Sequence, residues 1–354
     1  MRQSRKYDHL KYAAMLDDGP NQTCFTDFSL IHNCLPNIDC SQVDITTSVA
    51  GIRLKHPLIF NAITGGAEKV AVVNERLAEV ARATGSAMAV GSQYAGLEQP
   101  ETMRSYQVAR KYNPDGILFA NLGAHVTPEQ ACAAVDMIEA QALQIHLNVA
   151  QEVTMAEGER VFFSYLKNIE AIIKKLSVPV IVKEVGCGIA AEQAAQLSGI
   201  GVKAIDVGGS GGTNFIAIEA ARIERHVSED LLGWGIPTAI SAIEVASAIP
   251  LSVDMVVSGG VRTALDAVKA MAVGAAGVAV ASPLIKNLHH GDSNSLIHWV
   301  NDFINDMRTY MLLTGAGDFR QLRQRPVVIT GYSKEWLNAR GIDTTKYAMR
   351  GKHG

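Results

Sequence analysis

Polar side chains with chemical capacity gather at one end of a series of short apolar runs in this sequence. Asn61, Ser92, Asn121, His146, Asn148, Lys183, Glu184 and Ser258 each stand near the C-terminal end of their run. Together they offer amide and hydroxyl hydrogen bonds, an imidazole that changes charge near neutral pH, a carboxylate and an ammonium. A single polar residue at a strand end simply meets water. A succession of them on consecutive runs points to one shared site.

Glycine-rich loops accompany these ends. Gly208-Gly-Ser-Gly-Gly-Thr213 follows the sixth run and precedes a helical stretch at 216–225. Ser258-Gly-Gly-Val-Arg262 follows the seventh run, and Ala279-Val-Ala-Ser282 closes the eighth. Glycine lets backbone approach an anion closely, and a helix N-terminus presents unpaired N–H groups to it. Thr213 can add a hydroxyl or cap its helix. One such loop also suits a tight turn, but two in this order predict a phosphate site. A third loop, Asn61-Ala-Ile-Thr-Gly-Gly66, is expected to run along a flat ligand.

The elements that must position these groups follow from periodicity. The runs lie at 57–62, 87–91, 116–121, 143–148, 179–184, 204–208, 254–258 and 277–281. Continuous Val, Ile, Leu and Ala runs of this length read as strands buried on both faces. Stretches such as 73–84, 127–141 and 263–274 repeat apolar residues at helical spacing, with Pro128 suited to a first turn after Thr127. Strand and helix alternating in one direction predict a (β/α)8 barrel, with an open doubly wound sheet second. In a barrel, catalytic groups converge at the C-terminal strand ends.

The totals agree. A chain of 354 residues suits one barrel with extensions, and 48% hydrophobic against 19% charged residues supports a large core. Residues 1–50 read as an N-terminal arm, about 51–310 as the barrel and about 311–354 as a C-terminal helical extension, all one domain. A net charge of -3 gives no reason to expect nucleic acid or an anionic membrane. No leader-like or membrane-length apolar run is present, so a cytoplasmic protein is expected. The cysteines, Cys24, Cys34, Cys40, Cys132 and Cys187, are odd in number and lack CxxC spacing, which disfavours both a disulfide framework and a zinc site.

A phosphate at the seventh and eighth strands, a planar body over the mouth and the Lys183 cation beneath it together describe FMN. The competing role for Lys183 is a salt bridge with Glu184 or Asp206.

More specific segments then come into play. Arg5-Lys-Tyr-Asp-His9, Ala62-Ile-Thr-Gly-Gly66, Gly91-Ser-Gln93, His146-Leu-Asn-Val-Ala-Gln-Glu152, Val182-Lys-Glu-Val-Gly186, Asp206-Val-Gly-Gly-Ser-Gly-Gly-Thr213 and Ser258-Gly-Gly-Val-Arg262 occur in order over nearly the whole chain. In these the chain resembles the type 2, flavin-dependent isopentenyl-diphosphate isomerases. The segment from His146 to Glu152 is the most diagnostic, since Gly-Gly loops are common to many flavin barrels.

The resemblance implies that FMN is held by Ala62, Ile63, Thr64, Ser92, Asn121, Lys183, Thr213, Gly259, Gly260, Ala281 and Ser282. It implies a substrate diphosphate meeting Arg5, Lys6, His9, Ser92, His146, Asn148 and Gln151, with Glu152 binding Mg2+ that bridges to it. It also implies conversion of isopentenyl diphosphate to dimethylallyl diphosphate, NADPH as flavin reductant, and a homotetramer or larger assembly. Ile63 stands where many relatives have Met, Gly208 where Ser is frequent, and Cys187 is foreign to the pattern, which puts a side-chain contact at position 208 in doubt.

The chemistry stands apart from the resemblance. Alkenes are very weak bases, so protonation needs stabilisation of a cationic transition state, which a reduced isoalloxazine can supply along with the proton. Gln151, a neutral amide, is assigned to orientation or proton relay. The rival is an FMN oxidoreductase of the α-hydroxy-acid or dihydroorotate dehydrogenase type. The former would place a histidine just before Gly208-Gly209, where Asp206-Val207 stands.

Overall fold

The computed structural model describes residues 2–16 and 18–351, without the side chains of residues 2–7, 14 and 69. Eight parallel strands close into a barrel: β1 (Leu58–Phe60), β2 (Ala87–Ala89), β3 (Leu118–Gly123), β4 (Ala142–Leu147), β5 (Val180–Glu184), β6 (Ala204–Asp206), β7 (Asp254–Val257) and β8 (Gly277–Val280). Every predicted run coincides with a strand, although β3 extends two residues beyond the run at 116–121 and β4 begins one residue before the run at 143–148. Neighbours pair in sequence order, and β8 closes on β1 through Val278↔Leu58 and Val280↔Phe60. An open doubly wound sheet is thereby excluded.

Local chemistry starts the helices where expected. Thr127 caps Pro128–Met137 through a capping box with Gln130, and Thr263 does the same with Asp266 for Ala264–Ala272. The Ala-rich inner faces of these helices pack on the outside of the barrel to form the main core.

Inside the barrel the lumen is layered. Ile59, Ala89, Phe119, Ala142, Ile181, Ala204, Val256 and Ala279 form an apolar lower layer. Val49 and Leu54 of an antiparallel hairpin (Thr47–Val49 with Ile52–Leu54) join that layer from below. The hairpin turn uses Ala50 at φ 53° and Gly51 at φ 81°, backbone that a two-residue hairpin loop demands. Asp254 accepts the Ala50 N–H at 2.7 Å and locks the plug to β7.

Above the apolar layer, toward the C-terminal ends, the inward side chains become polar: Asn61, Asn121, Gln144, Lys183, Asp206 and Ser258 are all buried. The two ends of the chain meet on the outside, where strand Phe28–Leu30 pairs antiparallel with Val327–Ile329. The N-terminal helix Arg2–Met15 packs on helices Phe215–Arg222 and Ser282–His290, beside the barrel mouth. It carries Arg5 and Lys6, whose side chains lie outside the described residues.

Candidate active site

A large cavity opens over the C-terminal strand ends. Its walls include His9, Ala62, Ile63, Ser92, Asn121, His146, Asn148, Gln151, Glu152, Lys183, Thr213, Gly259, Gly260, Ala281 and Ser282. The structure therefore brings together nearly every residue named from the sequence. Thr64 is the exception among the described side chains; those of Arg5 and Lys6 lie outside them. Thr64 sits behind the wall, 1% exposed, with its hydroxyl lacking a hydrogen-bond partner among the described residues.

The loops after β6 and β7 interlock. A Cβ on Gly212 would come within 2.3 Å of the Gly260 nitrogen, one on Gly259 within 2.2 Å of the Gly209 carbonyl oxygen, and one on Gly260 within 2.2 Å of Gly211. Only glycine permits that approach, and Gly259 and Gly260 also take positive φ. Residues 22–23 of the N-terminal segment press on Gly211 from outside.

The cap of the helix after β6 differs from the one offered by Thr213. Asn214, not Thr213, caps helix Phe215–Arg222 by accepting the Ala217 N–H at 3.1 Å, so that N-terminus already has a partner. The helix after β8, Ser282–His290, has no side-chain cap and no acid in its first turn. Its positive dipole end, free of a side-chain cap, suits an anion. The Gly65-Gly66 pair also differs from its expected role beside a ligand. A Cβ on Gly65 would lie 2.0 Å from the Tyr106 ring and one on Gly66 2.7 Å from the Tyr106 hydroxyl, so these glycines admit Tyr106, while Ala62 and Ile63 line the cavity.

Lys183 is 6% exposed; its Nζ donates to the Glu184 carbonyl oxygen at 2.7 Å and forms no ion pair among the described residues. Burial lowers its pKa, opposed by the nearby charges of Asp206 and Glu184. Asp206 sits below, accepting from Ser258 Oγ at 2.5 Å and Asn61 Nδ2 at 2.9 Å. The salt-bridge alternative for Lys183 thus gives way to a buried cation at the cavity floor.

Beside it, Glu184 Oε2 accepts three successive backbone N–H groups, of Val185 and Gly186 at 2.7 Å and Cys187 at 2.5 Å. Burial still pushes its pKa up to about 7, against those bonds and Lys183. This raised value means the folded state holds the proton more tightly. The stability it lends is full below the ordinary value of 4.5 and declines as pH rises toward 7. Glu184→Gln is expected to flatten that decline, read as urea midpoints at pH 5 and pH 8; an unchanged pH dependence would assign it to other groups. Gly208, at φ 46°, has its Cβ position 2.1 Å from the Glu184 carbonyl oxygen, which explains why no side chain stands there. The Cys187 thiol is pushed up to about 12 by burial and the Glu184 charge, unsuited to base chemistry at neutral pH.

Diametrically across the ring from β8, β4 and the short helix Val149–Thr154 carry a second polar group. Asn148 Nδ2 donates to Gln151 Oε1 at 3.1 Å and Glu152 Oε1 at 2.9 Å. Glu152 Oε2 accepts the Glu159 N–H at 2.8 Å. Each oxygen keeps lone-pair capacity, so this carboxylate suits a Mg2+ ion that takes its remaining ligands from water and substrate.

Sequence reasoning missed the hub of this group. Glu219, fully buried on helix Phe215–Arg222, meets His9 Nε2 at 2.8 Å, Gln151 Nε2 at 2.7 Å and Arg222 Nε at 2.7 Å. Burial works to raise its pKa, yet the His9 contact and the Gln151 and Arg222 bonds hold it down to about 2. The available signal was a lone acid within Phe-Ile-Ala-Ile-Glu-Ala-Ala, since an unpaired carboxylate is almost never buried.

Residues 105–329 match the model of the FMN-dependent dehydrogenase family. The isopentenyl-diphosphate delta-isomerase of Symbiobacterium thermophilum is 44% identical, with 99% of each chain covered. That of Bacillus cytotoxicus is 46% identical, again over 99% of both. The chain belongs to the FMN-dependent, type 2 isopentenyl-diphosphate delta-isomerase family. Among solved structures, a lactate oxidase from Pediococcus acidilactici shares the fold at TM-score 0.66 and 18% identity, covering 92% of this chain and 87% of that one. A mandelate oxidase with (S)-mandelic acid does so at 0.67 and 17%, covering 92% and 94%. The barrel fold is thus shared with these oxidases.

The cavity fits the family's FMN: interlocked glycine loops and an uncapped helix end would suit its phosphate, Lys183 and Asn121 lie on the floor where its ring would rest, and the Thr64 hydroxyl behind them has no partner among the described residues. Gly260→Ala is expected to force the loops apart and cut FMN retention at least about 10-fold, since the added methyl group meets the Gly211 carbonyl on one side and the Thr23 side chain on the other. Flavin fluorescence titration would read it; wild-type affinity would remove the loops from the phosphate site.

Proposed function

We propose that the protein converts isopentenyl diphosphate to dimethylallyl diphosphate for isoprenoid synthesis. Reduced FMN would occupy the cavity, Mg2+ would lie at the diphosphate and NADPH would be the flavin reductant. The observation that carries this reading is the second polar locus. His9, His146, Asn148, Gln151 and Glu152 supply anion- and metal-binding groups across the mouth from the glycine loops, beyond what a flavin needs.

Each residue has a definable part. Glu152 would hold Mg2+, with Asn148 fixing the carboxylate through Oε1. His9 and His146 would donate to diphosphate oxygens, joined by Arg5 and Lys6 from the same N-terminal helix. Gln151, gripped between Asn148 and Glu219, would orient the alkene or pass a proton without being the primary acid. Lys183 would set its buried cation beside the ring. Reduced FMN, when bound, supplies the proton donor and acceptor at N5 or N1 and an electron-rich face toward developing positive charge. The N-terminal helix beside the mouth would exclude water, which strengthens every charge interaction within.

Assembly into a homotetramer or larger oligomer in the cytoplasm belongs to the same proposal. Exposed Val161, Phe163 and Trp234, 57%, 92% and 66% exposed, support self-association, and sedimentation would test it.

The deciding experiment loads the purified protein with FMN and supplies isopentenyl diphosphate, Mg2+ and NADPH without oxygen. Dimethylallyl diphosphate should form with no net consumption of NADPH beyond flavin reduction. Yellow protein that leaves the diphosphate unchanged but oxidises an α-hydroxy acid would establish the oxidoreductase reading instead. Full turnover with 5-deaza-FMN would remove the flavin N5 from acid–base duty.

A further inference from the structure

An unbroken run of buried side chains crosses the barrel lumen just below the cavity. Asp206 on β6 accepts from Asn61 Nδ2 at 2.9 Å. Gln144 Nε2, on β4, donates to Asn61 Oδ1 at 3.4 Å. Asn121 Nδ2, on β3, donates to Gln144 Oε1 at 3.3 Å, and Asn121 Oδ1 lies 3.0 Å from His146 Nδ1. We propose that Gln144 is a positioning residue that fixes the Asn121 amide and, through it, the tautomer of His146.

The direction of this run is set at one end by a group without freedom. The Ala62 N–H can only donate, and it donates to Asn61 Oδ1 at 2.9 Å. Asn61 therefore turns its oxygen toward Ala62 and Gln144 and its NH2 toward the Asp206 carboxylate. Gln144 must present NH2 to that oxygen, so its own oxygen faces Asn121. Asn121 answers with NH2, which leaves its oxygen for His146. An oxygen cannot donate, so His146 Nδ1 carries the hydrogen. Turning any one amide over would place two oxygens or two NH2 groups face to face.

Gln144 is 3% exposed and does not line the cavity, so its effect on the site passes through its neighbours. The strand bearing Asn121 is held independently, because Gln93 Oε1 accepts the Asn121 N–H at 3.0 Å and the Gln93 N–H donates to the Asn121 carbonyl at 2.8 Å. Loss of Gln144 thus frees an amide without releasing a strand. For His146 the consequence is that Nδ1–H is committed to Asn121, and that bond strengthens if the ring gains a second proton on meeting an anion. The inference rests on the proposed function only for what His146 meets; the tautomer itself belongs to the protein.

The test uses the full-length protein labelled with [15N]histidine, with the His146 signals assigned by their loss in His146→Gln. Long-range proton–nitrogen spectra separate the two neutral tautomers by their nitrogen shifts. Wild type should show Nδ1–H. Gln144→Leu, which makes neither bond, should show averaged nitrogen shifts and lose about 5- to 10-fold in kcat/KM. Gln144→Glu, in its protonated form, can donate to Asn61 and accept from Asn121, and at a pH low enough to keep that proton it should retain the wild-type nitrogen pattern. A folded Gln144→Leu protein with an unchanged His146 pattern would overturn the proposal, as would Nε2–H in wild type. Thermal melting of each variant separates these outcomes from misfolding, and because the spectra need no substrate, failure of the isomerase reading leaves them interpretable.

Discussion

Replacing Lys183 with Met is expected to leave a folded barrel that loses its flavin. The ammonium is buried at the cavity floor with one hydrogen bond, to the Glu184 carbonyl, and no ion pair among the described residues. An apolar side chain of similar volume spares its desolvation, so the melting temperature should hold or rise. The loss falls on the ligand. A hydrogen bond to a charged donor contributes about 1.5–3 kcal/mol, or roughly 10- to 100-fold in affinity. Titration of the flavin-free variant with FMN should show that weakening, and turnover should fall further because the cation also steadies charge on the reduced ring. Wild-type FMN affinity in Lys183→Met would move the flavin away from the β5 end.

The second large effect is expected at Glu219, away from the flavin grip. Its carboxylate holds Gln151 and His9 on one oxygen and Arg222 on the other. Glu219→Gln keeps the shape but turns an NH2 group toward at least one of these donors and removes the charge that Arg222 balances. Breaking a buried pair on one side costs about 3–5 kcal/mol, so a clear loss of stability should accompany it. For catalysis, release of Gln151 by even an ångström is worth about 100-fold in kcat, with FMN content unchanged. That division separates Glu219 from Lys183: one variant keeps its flavin and turns over slowly, the other loses flavin. A Glu219→Gln protein with full kcat would show that Gln151 needs no anchor.

How far these features can be read without coordinates depends on the range of the interaction. The strands were legible because burial on both faces leaves a continuous apolar signal, and Thr127 and Thr263 announced their helices through contacts three residues away. The phosphate loops were legible because backbone approach demands glycine at adjacent positions. Which residue caps helix Phe215–Arg222 was not, since Asn214 and Thr213 are both competent caps and only the turn geometry chose between them. Gly65 and Gly66 misled for a related reason: the sequence shows that a side chain is forbidden there, but not that Tyr106, some forty residues on, is what forbids it.

The chain's order and composition by themselves determined an eight-stranded barrel with polar groups and glycine loops at one end, because period, burial and glycine tolerance are local properties. Tertiary structure alone decided that Glu219 reaches His9 across 210 positions and that Gln144 links Asn121 to Asn61 across the lumen. Those contacts arise only when barrel closure brings β4 beside β3 and opposite β8, and when the N-terminal helix comes to rest beside the mouth. Hydrogen bonds act over about 3 Å, and the spacing of residues along a chain carries no record of which distant partners closure will bring that near.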